Sequence, residues 1–275
     1  MGGKQASLKT DAMDKAVTKK RSVIDSKPLS AVKLGRGRAP RAKTLQDAKD
    51  ALYKEHIMEV AERIFAEQGF NNAKMQDIAT EAGISLGRLY LSYPGKSDLH
   101  RSLLIARDSQ MLNAVLVKGQ DSLQAPSTIE EVLFFNETHL HFLLQHPNYL
   151  RMQLQEGHAW YHQAAQPTRE EQVMWDRGLL VLKTLFTWGI SQGFFSPAPA
   201  EHQGRMLLAL QQTRLANWVM DGMKASHESV ILGIQADFIR LFCKPEMTAK
   251  LLSPDGAGLS DKTIKRIRAL DKKPN

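Results

Sequence analysis

From about residue 47 onward, apolar residues recur at three- and four-residue intervals, the spacing that lines one side of an α-helix. Leu52, Ile57, Val60, Ala61, Ile64 and Phe65 form the first stripe and predict a helix with one core-facing side. Met75, Ile78, Ala79 and Ala82 follow behind Asn72, a residue suited to capping, and predict a short second helix. Gly83 ends it at a sharp reversal, Ile84 can bury in the angle, and Ser85 caps a third helix over residues 86–93. This third helix mixes Gly87, Arg88, Tyr90 and Ser92 with Leu86, Leu89 and Leu91, too polar a set for a core position. The pair reads as a helix-turn-helix whose second member faces a nucleic-acid groove.

Beyond it, Leu99, Leu103, Leu104, Met111, Leu112 and Val115 predict a long fourth helix, broken near Gly119 and at Ala125-Pro126-Ser127. Prolines and glycines then divide the chain into further helices over 129–145, 148–163, 169–192, 200–223 and 226–243. Each proline stop follows from the clash of its ring with a helical preceding residue. With no strand-like alternation, the expected fold is all-α with nine helices: a three-helix DNA-binding unit followed by a larger helical body. Residues 249–275 mix glycine, proline and charge and are expected to form a mobile tail.

Several of these residues agree in register with a known signature. Phe65-Ala66-Glu67-Gln68-Gly69-Phe70, Asp77-Ile78-Ala79, Ala82-Gly83-Ile84-Ser85, Gly87-Arg88-Leu89-Tyr90, Tyr93, Lys96 and Leu99 closely resemble the DNA-binding region of the tetracycline-repressor (TetR) family, including AcrR-type regulators. The resemblance implies a helix-turn-helix unit over 46–100 and a regulatory and dimerisation domain over 101–248. It also implies that Leu86, Gly87 and Arg88 approach base edges, Arg88 being able to hold guanine bidentately. Gln76 is a further base-reading candidate, and Tyr90, Ser92, Lys96 and Lys74 are phosphate-contact candidates. Two departures stand out: the family usually places hydroxyl residues where Ala73 and Lys74 stand, and a histidine where Ser92 stands.

Charge changes the picture at the amino terminus. Residues 1–45 hold twelve Lys or Arg against Asp11, Asp14 and Asp25, so this leader carries +9 while the whole chain carries +8. Lacking aromatic residues and sustained periodicity, it is expected to be a disordered basic leader. Within it, Arg36, Arg38 and Arg41 around Gly37 and Pro40 are similar to an AT-hook, a minor-groove-binding arm, although Ala39 interrupts that pattern. A merely solvated basic tail is the alternative. The single cysteine, Cys243, excludes a disulfide framework, and no run of eighteen apolar residues exists. A cytoplasmic, nucleoid-associated protein with no membrane partner is the expectation.

By the same resemblance the body should hold a small-molecule effector and pair with a second copy. Met111, Phe135, Phe142, His158, Trp160, Trp188 and Arg214 are the pocket candidates, with Phe134, His139, Met152, Met174 and Trp218 as further possible lining; each residue could equally be plain core. Leu207, Trp218, Ile231, Ile234 and Phe238 are the dimer-interface candidates, because the last two body helices are apolar over more than one stripe; burial within one subunit is the alternative. His158 and His162 share a helix face, with His139 and His141 upstream, but Ala159 stands where a zinc-protease helix carries its glutamate, so neither enzyme nor metal site is expected. No cofactor is expected. The chain thus reads as a ligand-responsive homodimeric repressor of a pseudo-palindromic operator on double-stranded DNA, with a DNA-organising protein as the alternative.

Overall fold

The computed structural model describes residues 45–118, 126–155 and 168–271; the basic leader, including Arg36, Arg38 and Arg41, lies outside them. Among the described residues the chain forms eleven α-helices and no strand. They are α1 Leu45–Asn72, α2 Met75–Glu81, α3 Leu86–Ser92, α4 Lys96–Lys118, α5 Ile129–Gln145, α6 Pro147–Gln155, α7 Arg169–Ser191, α8 Ala200–Met220, α9 His227–Phe242, α10 Pro245–Leu251 and α11 Asp261–Asp271. Residues Lys43–Asn275 make one compact unit.

The head is α1 to α3 with the start of α4. Ile57, Ile64 and Phe65 of α1 close onto Ile78 of α2, Leu89 of α3, and Leu99 and Leu103 of α4. Met152 of α6 joins the same cluster, so the head's core continues into the body. Gly69, at φ 76, ends the regular part of α1 in a conformation that favours glycine. Asn72 does not cap α2 as the sequence implied: its amide donates back to the Gln68 carbonyl, and Lys74 stands at the cap position with no side-chain hydrogen bond.

Two apolar clusters fill the body. One gathers Val132 and Leu133 of α5, Phe186 of α7, Leu207 of α8, and Phe238 and Phe242 of α9 around Phe195. The Phe195 ring lies where a Cβ on Gly189 would stand, 2.2 Å away, so only glycine fits there. Met111 of α4, Leu140 and Leu144 of α5, Tyr149 of α6, Leu215 and Trp218 of α8, and Ile231 and Ile234 of α9 belong to the other.

Beyond 249 the chain differs from the sequence expectation. A bridge between Leu252 and Leu259 closes a turn, and α11 then packs its apolar side into the body, with Leu259, Thr263 and Ile267 buried. Leu259, Ile267 and the partly buried Ile264 are the apolar contacts, and the buried Thr263 hydroxyl donates to the Leu251 carbonyl at 2.9 Å. Arg266 reaches Glu130 at 2.9 Å and Arg268 pairs with Glu228, tying α11 to α5 and to the start of α9.

Candidate nucleic-acid interface and body cavity

The turn between α2 and α3 follows from three residues. Gly83 takes φ +66, and the Ile84 and Gly83 amides donate to Ala79 and Thr80 carbonyls, which satisfies the last carbonyls of α2. Ser85 Oγ then accepts the Arg88 amide at 3.2 Å and starts α3. Only Leu89 of α3 is buried, and it anchors the helix to the head. Gly87, Arg88 and Tyr90 are exposed, while Leu86 and Ser92 are half-buried and Leu86 packs against the head's core. Leu91, at 84% exposed, is the most open large apolar side chain described on the head, although the sequence assigned it no contact role. Arg88 stands 5.8 Å above the Tyr53 ring of α1, an aromatic neighbour that no short-range pattern reveals.

The phosphate candidates separate. Tyr90 and Lys74 are exposed and open to a duplex; so is Gln76, whose amide donates to Thr80 at 3.3 Å. Lys96 instead turns inward. Its ammonium donates to the carbonyls of Asn71 (3.1 Å) and Ala73 (3.0 Å) and lies 4.7 Å above the Phe70 ring. It ties the start of α4 to the end of α1, a structural task unlike the free phosphate contact the sequence implied. Ala73, one of the two departures, is buried beneath this tie, where a hydroxyl side chain would meet core rather than solvent. Burial raises the Tyr93 hydroxyl above its ordinary pKa of 10.0.

A chain of polar contacts links head to body. Glu62 of α1 accepts Arg107 of α4 at 2.7 Å, Gln155 of α6 donates to the Ala66 carbonyl at 2.8 Å, and the buried Tyr149 hydroxyl donates to Asp108 while accepting Gln153 at 2.6 Å. Burial first, then the Asp108 carboxylate, pushes the Tyr149 pKa well up, so this hydroxyl stays protonated.

Between α4, α5, α7 and α8 lies a cavity of about 80 Å³, walled mainly by aliphatic side chains such as Met111, Leu112, Val181 and Leu185. Phe135 and His139 of α5 line it, as do two polar residues the sequence reading missed, Asn136 and Gln211. The Gln211 amide donates to Asn136 Oδ1 at 2.5 Å, and the pair is 3% and 7% exposed. Asn136 Nδ2 and Gln211 Oε1 have no hydrogen-bond partner. Burial lowers the His139 pKa to about 4, with the Gln211 side chain partly opposing it. The signal was present in the sequence: each amide falls among apolar residues at helical spacing, Val132 and Leu140 around Asn136, Leu207 and Leu215 around Gln211.

Of the predicted pocket residues, the cavity brings together Met111, Phe135 and His139. Phe142 is stacked on His146 at 4.2 Å instead, and Trp188 packs on Phe194 at 5.3 Å. Arg214 points outward and pairs with Asp237 of α9, because a guanidinium keeps its hydration and its counter-ion at the surface. Phe134 borders a separate groove beside α11, and Met152 belongs to the head. His158, Trp160 and the Met174 side chain lie outside the described residues, as does His162. Among the described residues no three metal-ligating side chains converge.

The predicted interface residues need correction. Leu207, Trp218, Ile231, Ile234 and Phe238 all lie within the subunit's core, at most 6% exposed, and the Trp218 indole donates to the Ala225 carbonyl at 2.9 Å. Sequence could count apolar positions but not divide them between neighbours in the same subunit and a partner. The large apolar residues that α8 and α9 do expose are Met206, Met220 and Leu241, and the same two helices carry the Arg214–Asp237–Arg240 ion pairs.

A capped α3 projecting from a closed head defines a helix-turn-helix DNA-binding protein of all-helical fold. Residues 57–103 match the family model described as "Bacterial regulatory proteins, tetR family". Over these residues the chain carries the DNA-binding region of the tetR family. It is 33% identical over 104 residues to the uncharacterized HTH-type transcriptional regulator YuxN of Bacillus subtilis, covering 37% of this chain and 34% of that one. The chain thus matches about a third of that relative's length. The body's fold recurs in solved structures: a TetR family regulator from Marinobacter aquaeolei (TM-score 0.55, 20% identity, 72% of this chain and 99% of that one). Similar too is the FadR regulator of Bacillus subtilis, solved in complex with stearoyl-CoA (TM-score 0.51, 20% identity, 66% and 96%).

Proposed function

We propose that the protein is a ligand-responsive transcriptional regulator that binds a pseudo-palindromic operator as a homodimer and represses by occupying it. The observation that carries this reading is α3 itself, held by Leu89 and its Ser85 cap with Gly87, Arg88, Tyr90 and Leu91 turned outward. Gly87, Arg88 and Gln76 face bases, with the half-buried Leu86 reaching them only by its exposed edge. Tyr90, Lys74 and the partly open Ser92 take phosphates. The second copy docks on the exposed Met206, Met220 and Leu241 of α8 and α9, which places two α3 helices in successive major grooves.

The cavity is where an effector acts. Met111 and Leu112 of its wall sit on α4, one turn from Asp108 and Arg107, and Arg107 grips Glu62 of α1. A molecule that moves α4 therefore changes the spacing of the two heads, the two-state coupling that ligand control requires. Stearoyl-CoA is the molecule bound in the FadR structure and is not carried over to this chain.

Selection of bound duplexes from random DNA by the full chain tests the reading. An inverted repeat is expected, and Arg88→Ala should lower the ratio of specific to random binding by roughly 5- to 100-fold, the worth of one bidentate base contact. Broad A·T-rich recovery without an inverted repeat would favour a DNA-organising protein instead.

A further inference from the structure

We propose that the body cavity takes a compact, uncharged, mainly apolar molecule bearing one amide or hydroxyl group, which Asn136 and Gln211 hold. The proposal rests on the effector reading above and adds the ligand's chemistry. Asn136 and Gln211 spend one carbonyl and one amide on each other, leaving at the cavity wall a buried donor, Asn136 Nδ2, and a buried acceptor, Gln211 Oε1, which the His139 ring approaches without making a hydrogen bond of ordinary geometry. The result does not depend on how the two amides are oriented. Flipping both reverses their mutual bond but still leaves one donor and one acceptor. Buried polar groups in native proteins are almost always paired, so this couple calls for a partner that both accepts and donates. A primary amide does so, and a hydroxyl does so with a single oxygen.

The rest of the wall rules on charge. Among the described residues that line the cavity there is no Lys, Arg, Asp or Glu. A carboxylate or ammonium would shed its hydration there without a counter-ion. His139, the one titratable group among the described residues of the wall, stays neutral above its lowered pKa of about 4 and lends no charge. Volume sets the size. At ~10–15 Å³ per water-sized site, 80 Å³ holds about five to eight such sites, which suits a ligand of no more than about eight or nine non-hydrogen atoms. A long acyl chain joined to a charged nucleotide fits neither limit.

A matched set of probes tests this: toluene, benzyl alcohol, benzamide and benzoate, titrated into the full chain at pH 7.5 by calorimetry and followed by thermal shift. Benzamide and benzyl alcohol should bind and raise Tm, and benzoate should not. In Asn136→Leu/Gln211→Leu, which exchanges both partners for apolar groups of similar shape, the affinity ratio of benzamide to toluene should fall roughly tenfold while toluene still binds. Gln211→Met provides the same comparison if the double variant does not fold. An unchanged ratio, benzoate binding as tight as benzamide, or no probe bound and only solvent in the cavity would overturn the proposal. Operator affinity measured with and without benzamide separates the two readings. Binding that leaves operator affinity unchanged keeps the ligand class and overturns the effector role.

Discussion

His139 offers the sharpest physical test of the body. It is half-buried beside the cavity, and burial lowers its pKa from 6.5 to about 4. Between those values the unfolded chain binds a proton that the folded chain refuses, so stability rises with pH across the window. The contribution is complete above 6.5 and is lost as pH falls toward 4. Each unit of difference is ~1.4 kcal/mol, so lowering pH from 7 to 5 should remove about 2 kcal/mol through this residue alone, and full protonation about 3. Denaturant unfolding of the protein and of His139→Leu at pH 7, 6 and 5 isolates it, since the other histidines act alike in both. The protein should lose about 2 kcal/mol more than the variant by pH 5. Parallel slopes, or an imidazole resonance that titrates near 6.5 in the folded protein, would show that His139 is hydrated or ion-paired, and would undo the account of a dry cavity wall.

Other outcomes follow from the head, the exposed apolar residues of α8 and α9, and the leader. Lys96→Met should cost about 1–3 kcal/mol of stability, seen as a lower Tm, because two carbonyls lose a charged donor. Its affinity for all duplexes should fall together with the salt slope little changed, whereas a drop of about one in that slope would restore Lys96 as a phosphate contact. Met220→Glu/Leu241→Glu places charge at these exposed positions without touching the core, so light scattering should report monomers and operator affinity should fall by roughly a hundredfold or more. A dimer that persists would move the interface elsewhere. Deleting residues 1–45 removes twelve positive charges and should make binding less salt-dependent, and an unchanged slope would leave the leader no electrostatic role.

The head was legible because its information is local. Gly83 and Ser85 act on residues within five positions, and the contacts they make are those the sequence implies. Proline punctuation worked for the same reason: α5 ends at Gln145 before His146-Pro147, as expected. What failed depends on distant partners. Lys96 finds carbonyls more than twenty residues away, and α11 is ordered by a groove on α5 that its own polar sequence does not announce. The interface residues were misplaced because an apolar stripe looks the same whether a neighbouring helix or another copy covers it. Asn136 and Gln211 are harder to read from sequence because an amide among apolar residues is the rarer pattern in a core, and their pairing joins helices 75 residues apart.

Cys243 is buried where the Phe195 strand-like bridge meets the end of α9, and burial raises its thiol pKa to about 12. As the only cysteine in the chain, it makes the folded protein almost inert to thiol reagents, since the thiolate is the reacting form. Labelling can then proceed only when this corner opens, and its rate becomes a clock for that event. With excess reagent at fixed pH, the clock measures how often the link between α7 and α9 comes apart under native conditions, without denaturant or an introduced probe.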